Sequence, residues 1–236
     1  MEKVIHKAHT RGFADHGWLK SHHTFSFARY FDEQRMNFGL LRVLNDDIVE
    51  PGRGFGTHSH DNMEIISITL QGALAHKDDQ GHEQVLRPDE VQIMSAGTGI
   101  RHSEYNHSNE ERVNFLQIWI FPRQRNIQPR YEQKKFAARQ RINTWQTLVS
   151  AEKSGDHLWI NQDAHILRIQ IEPSLEITYE RCSTKNGIYV FVIEGELKTA
   201  GEQLQRRDGM GIWDAEHLQF RTEVGAEVLL LEVPME

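Results

Sequence analysis

Two tripeptides have the residue types and spacing to build a reactive centre: His58-Ser59-His60 and His102-Ser103-Glu104. Side chains at i and i+2 of a β-strand point to one face, so each tripeptide can aim two ligands at one point. Composition alone makes neither unusual, because 14 histidines in 236 residues give about 0.8 His-x-His and about 1.3 His-x-Glu pairs by chance. The setting strengthens both. Gly52-Arg53-Gly54-Phe55-Gly56 precedes the first and Gly97-Thr98-Gly99 the second, and such small residues permit tight turns and close backbone approach. Three imidazoles and a carboxylate suit iron, nickel, copper, manganese or zinc and leave positions open on a six-coordinate ion. Open positions imply chemistry, whereas structural zinc sites close with four ligands and favour cysteine, of which the chain has one. Glu64 begins the next expected strand and is open to three roles: fifth ligand, acceptor orienting a histidine, or general base.

The elements that must carry these residues read as β-structure. From Phe38 onward, short runs rich in Val, Ile, Leu, Phe and Trp are separated by Gly, Asp, Asn and Pro. Strands are expected over 39–44, 63–70, 73–76, 84–86, 90–94, 101–106 and 114–121. They resume over 157–161, 165–171, 175–180, 188–193, 210–213 and 227–233. This spacing predicts an all-β sandwich or barrel architecture. The two regions look like copies of one design, with Ile65-Ile66-Ser67-Ile68-Thr69-Leu70-Gln71-Gly72 answered by Ile188-Tyr189-Val190-Phe191-Val192-Ile193-Glu194-Gly195. The division expected is 1–125, a connector over 126–155, and 156–236. The connector is crowded with Arg130, Lys134, Lys135, Arg139 and Arg141, read as solvated charges, and a short helix is expected over 144–152.

Composition narrows the function classes. With 38% apolar and 26% charged residues the chain is of soluble globular type. Its longest uncharged apolar runs, such as 65–70 and 228–231, fall short of the roughly 20 residues that a membrane helix needs, so no membrane partner is expected. The start, Met1-Glu2-Lys3-Val4-Ile5-His6-Lys7, carries charge where a secretion signal has its apolar core, which points to the cytoplasm. The single Cys182 fits a reducing compartment and is assigned no catalytic role. Acidic residues outnumber basic ones 34 to 27, a net charge of −7, so nucleic acid is a poor partner. His22 and His23 flank the aromatics Phe25, Phe27, Tyr30 and Phe31, expected to pack a barrel face. His157, His165 and His217 are read as surface or packing residues, and Trp213 and Phe220 as core.

The spacing Gly52-(x5)-His58-x-His60-(x3)-Glu64 followed by Gly72 resembles the first cupin motif, and Gly97 through His102-(x3)-Asn106 resembles the second. More narrowly, 55–64, 93–106, Leu116-Gln117-Ile118-Trp119 and Pro129-Arg130-Tyr131 are similar to the pirin family, and Gly17-Trp18-Leu19 with His23-Thr24-Phe25-Ser26-Phe27 resembles the start of its bacterial members. The resemblance implies a bicupin, two face-to-face antiparallel β-barrels of jelly-roll type with one metal in the first. It implies ligands at His58, His60, His102 and Glu104, commonly around iron, with Fe(II) expected here and Cu, Ni, Mn or Zn as alternatives. Because Glu104 matches the family's fourth ligand, Glu64 is left for base or outer-shell work. Aligning Gly195 with Gly72 puts Arg181, Ser183 and Gly187 where His58, His60 and Glu64 stand, and none is a good ligand, so no metal is expected in the second copy.

Some bacterial members act as quercetin 2,3-dioxygenases, whereas eukaryotic pirins are nuclear redox-sensitive coregulators. The expected function is thus ring opening of a flavonol by O2, in a pocket lined by Phe55, Met63 and Ile100. The alternative is a metal-dependent redox sensor that binds a protein partner. A monomer is expected, since the two barrels cover each other's faces.

Overall fold

The computed structural model describes residues 1–236 as 21 strands and two short 3-10 turns, with no α-helix. In the first half, a seven-stranded sheet runs in the order Arg130–Lys135, Glu90–Ser95, Glu64–Gln71, Val113–Ile120, Leu41–Val49, Leu19–His23, Gly12–Asp15. It faces a four-stranded sheet of Gly54–His60, Ile100–Asn106, Leu74–Asp78 and Glu83–Leu86. The second half is one ten-stranded system. Its strand Asn186–Thr199 pairs first with Gly209–Trp213 and Ala226–Pro234 and then, beyond Gly195, with Glu202–Gln205, so one long strand serves both layers. Both halves are therefore two-layer jelly rolls rather than closed barrels.

The apolar pattern explains the stacking. The largest core cluster holds 24 buried residues and lies between the halves, with Ile66, Ile68 and Ile118 from one large sheet against Phe191, Leu229 and Leu231 from the other. Fully burying each such side chain is worth about 1.5–3 kcal/mol, which makes this junction a main source of stability. A second cluster of 17 fills the inside of the second jelly roll, where Ile188, Val190 and Val192 face inward. The matching strand of the first half turns Ile65, Ser67 and Thr69 inward, and there the interior is polar.

The duplication is visible in the backbone. Gly72 and Gly195 both adopt left-handed φ, 76° and 83°. A side-chain carbon would lie 2.5 Å from the Arg112 carbonyl oxygen at the first and 2.1 Å from that of Gly225 at the second, so both turns require glycine.

Expectations about the connector and the amino terminus need correction. The segment expected as a helix over 144–152 is the strand Gln146–Ser150, antiparallel to His165–Ile171. Thr147 and Val149 are β-branched, and a register shift between them lets the neighbours Leu148 and Val149 both enter the central core. Arg130–Lys135 is the edge strand of the seven-stranded sheet. Arg141, read as solvated, is 7% exposed and bridges Asp89 at 2.7 Å and Glu227 at 3.2 Å, one from each half. Finally, Glu2–His6 pairs with Gly209–Trp213, so the amino-terminal strand completes the sheet of the second half.

Candidate metal centre

Two paired strands of the four-stranded sheet bring the tripeptides together. In Ile100–Asn106 burial alternates, with Ile100, His102, Glu104 and Asn106 inside. The partner strand sets His58 opposite His102 and His60 opposite Ile100, and a bulge after His102 moves Glu104 opposite Phe55. Close approach at that bulge depends on Gly54, where a side-chain carbon would lie 2.2 Å from the Glu104 carbonyl oxygen.

The three imidazoles converge, with ring centres 4.8 Å apart for His58 and His60, 4.4 Å for His58 and His102, and 5.0 Å for His60 and His102. One ring nitrogen from each lies within 4.8 Å of the others. The Glu104 carboxylate groups with His102 and His76 within the same limit, so His102 is shared between the two sets. Burial, followed by the neighbouring imidazoles, lowers His60 to about 4 and His102 to about 3, which keeps both rings neutral as metal coordination requires. His58 Nδ1 lies 2.8 Å from the Gly56 carbonyl oxygen, which orients that ring. His102 Nε2 is buried without any hydrogen-bond partner. A buried, unpartnered lone pair facing other imidazoles is costly in an empty apolar site and natural beside a cation, so the donor set fits a transition metal.

The support around these residues is extensive and was not legible as a motif. Glu104 accepts hydrogen bonds from Ser67 Oγ (3.2 Å) and Gln92 Nε2 (3.1 Å) on Oε1, and from Gln117 Nε2 (2.8 Å) on Oε2. These donors belong to one row across the inner face of the seven-stranded sheet, where His23, Asn45, Gln117, Ser67 and Gln92 are successive cross-strand neighbours. On the other side His102 Nδ1 is 3.5 Å from His76 Nδ1, and His76 Nε2 is 3.2 Å from Asp78 Oδ2. Tyr131 stacks on both His76 and His82, at 4.5 and 5.1 Å. His76-Lys77-Asp78 has the same i, i+2 spacing as the two tripeptides, and that was the available signal.

Comparison with known proteins places this architecture. Residues 4–120 match the family model described as Pirin, and residues 147–233 the one described as Quercetinase C-terminal cupin domain. Quercetin 2,3-dioxygenase of Escherichia coli strain K12 is 41% identical over 230 residues, 98% of each chain. The chain belongs to the pirin family. A pirin-like protein of Caulobacter vibrioides is 39% identical over 222 residues, 94% of this chain and 95% of its own. The crystal structure of bacterial pirin YhhW from Escherichia coli, in complex with nickel(II), superposes with a TM-score of 0.93 at 40% identity, covering 99% of both chains. The bicupin expectation thus holds for this pirin, with open two-layer jelly rolls in place of closed barrels.

The pirin histidine cluster opens on a cavity of about 840 Å³. Trp18, Phe27, Tyr30, Phe55 and Trp119 supply aromatic walls, and His58, His60 and Glu104 stand among the lining residues. Of the three residues expected to line it, Phe55 does so. Ile100 and Met63 belong instead to the packed cluster with Ile65 and Met94. The aromatic segment expected to pack a barrel face contributes His23, Phe27 and Tyr30 to the cavity, while Phe31 is 68% exposed.

Glu64 is placed elsewhere, and its expected role at the metal is corrected. It shares the parity of Ile66 and Ile68, which face the junction between halves, whereas Ser67 faces Glu104. Its Oε2 accepts from Ser95 Oγ at 2.8 Å and from the Asn161 backbone N–H at 3.2 Å. In this pirin it is a buried tie across the junction. Burial raises its pKa from 4.5 to about 7 against those two hydrogen bonds. A carboxyl raised on folding contributes its full stability below pH 4.5 and loses it as pH rises through 7, by an amount on the order of 3 kcal/mol. Glu64→Gln keeps an acceptor oxygen and cannot ionise. Its unfolding free energy is expected to match wild type at pH 4 and to exceed it at pH 8 by about 3 kcal/mol, measured by urea denaturation at both values. Equal pH dependence in the two proteins would refute this.

Proposed function

We propose that this protein is a metal-dependent dioxygenase that opens the ring of a flavonol such as quercetin with O2. The ligands assigned are His58, His60, His102 and Glu104, around one divalent transition metal. Ferrous iron is the first choice and nickel, named in the relative's structure, the second. Bound there, such an ion supplies Lewis acidity toward a substrate oxygen and a redox partner for O2. The observation that carries the reading is an aromatic-walled cavity that reaches His58, His60 and Glu104, with His102 behind them holding a buried unpartnered nitrogen. The name of the Escherichia coli relative supports the same class.

The chain's own residues do the remaining work. Trp18, Phe27, Phe55 and Trp119 offer flat apolar surfaces that hold a planar ring system and exclude water. Ser67, Gln92 and Gln117 hold the Glu104 carboxylate in one orientation, so it presents its charge without rearrangement. Anaerobic loading with ferrous iron, then oxygen uptake with quercetin, tests the proposal against a His102→Ala control, with nickel in parallel. Uptake that needs the metal and vanishes in the control is expected. Stoichiometric metal in the wild type with no uptake would overturn the flavonol reading.

A further inference from the structure

A second group of polar side chains lines the same cavity. The strands Leu19–His23 and Leu41–Val49 pair so that Ser21 stands opposite Asp47 and His23 opposite Asn45. All four line the cavity, and none is more than 4% exposed. Ser21 Oγ donates to Asp47 Oδ1, which commits the hydroxyl hydrogen. His23 Nδ1 lies 3.1 Å from Asn45 Oδ1 and 3.4 Å from Ser21 Oγ, so this nitrogen carries the hydrogen and donates to both. Burial lowers the His23 pKa, the ring is neutral, and Nε2 is left as an acceptor. Asp47 has no cation of its own, since Arg11 pairs with Asp46 at 3.5 Å. Its Oδ2 takes no hydrogen bond from the protein and is not among the buried atoms sealed from solvent.

A buried carboxyl without a cation costs stability, and such groups concentrate at functional sites. Burial pushes Asp47 up to about 7. Asp46 and Glu104 add to the rise, while Ser21 and Arg11 oppose it, and the facing His23 is neutral. Near neutral pH this group can both take a proton and return it.

We propose that Asp47 is a catalytic residue whose Oδ2 takes the proton of a phenolic hydroxyl, while Asn45 and His23 hold a second hydroxyl, so that the cavity selects polyhydroxylated aromatic substrates. The phenol O–H bond breaks, the Asp47 Oδ2–H bond forms, and the electron pair stays on the phenolate oxygen. No electron changes hands, and the proton returns to the product as it leaves. The assignment rests on the flavonol reading of the cavity and names the group that serves it.

The test uses metal-free protein and follows quercetin binding by quenching of tryptophan fluorescence between about pH 5.5 and 9, with unsubstituted flavone as the comparison ligand. Wild type is expected to prefer quercetin by at least about tenfold and to show a step in affinity near neutral pH. Asp47→Asn should lose the step and most of the preference, and Ser21→Ala should move the step to higher pH, since the Ser21 hydrogen bond lowers Asp47. Loaded with ferrous iron, Asp47→Asn should retain stoichiometric metal while turnover falls about 10²- to 10⁴-fold. If wild type binds quercetin and both variants show the same step and preference, the Asp47 assignment is overturned and the flavonol reading stands. If wild type binds neither ligand, the flavonol reading falls and Asp47's role falls with it.

Discussion

Wild-type protein is expected to gain about 4 kcal/mol of stability at a free ferrous or nickel ion concentration a thousand times Kd, and His102→Ala to gain almost none. His102 is the member common to both donor groups, standing with His58 and His60 on one side and with His76 and Glu104 on the other. Its Nε2 is the one buried, unpartnered nitrogen of the cluster, and its Nδ1 is backed by His76 and, through it, Asp78. Removing an outer-shell partner such as Gln117 should weaken metal binding about 10- to 100-fold. Removing His102 deletes one of the proposed ligands, so the loss should be larger. Anaerobic denaturation with and without metal measures the gain directly. An equal gain in His102→Ala would exclude His102 as a ligand while leaving the cavity intact.

Asp46→Ala is expected to cost about 3–5 kcal/mol of unfolding free energy. Asp46 Oδ2 lies 3.5 Å from Arg11 and 3.3 Å from Arg207, the second of which comes from the other jelly roll. Both guanidiniums are buried, at 8% and 6% exposure, and burial lowers the pKa of each. Arg207 Nε nonetheless lacks a directed hydrogen bond, so the attraction is mainly of charge for charge. Asn114 Nδ2 donates to the other oxygen at 2.7 Å and fixes the carboxylate in place. Deleting the carboxylate strands Arg11 in a low-dielectric junction and leaves Arg207 only the half-exposed Glu194 carboxylate, 3.6 Å away. The triple change Asp46→Ala, Arg11→Leu, Arg207→Leu should recover much of the loss, because no charge is then left unpaired. Guanidinium denaturation at pH 7 provides the comparison, and a loss below about 1 kcal/mol for Asp46→Ala would show that this cluster does not hold the halves together.

The tripeptides, the glycine-rich approaches, most strands and the duplication were legible along the chain because they depend on near neighbours. Period-two alternation puts His102 and Glu104 on one face whatever they pair with, and the Gly72 and Gly195 turns need left-handed backbone wherever they sit. The strand Gln146–Ser150 was missed because its identity comes from pairing with His165–Ile171 rather than from its own five residues.

What the sequence by itself determined is therefore a two-jelly-roll chain with a histidine and glutamate cluster on strands of its first half. The tertiary structure alone decided what surrounds that cluster. His23, Asn45, Gln117, Ser67 and Gln92 are scattered along the chain and become one row only when five strands pair in register. Glu64 and Ser67 differ in parity, yet parity does not say which face meets the cavity. Both faces of that sheet are buried, one by the four-stranded sheet and the other by the second jelly roll. A strand buried on both sides has no polar face to mark its outside, so only the stacking of sheets assigns Glu64 to the junction and Asp47 to the cavity.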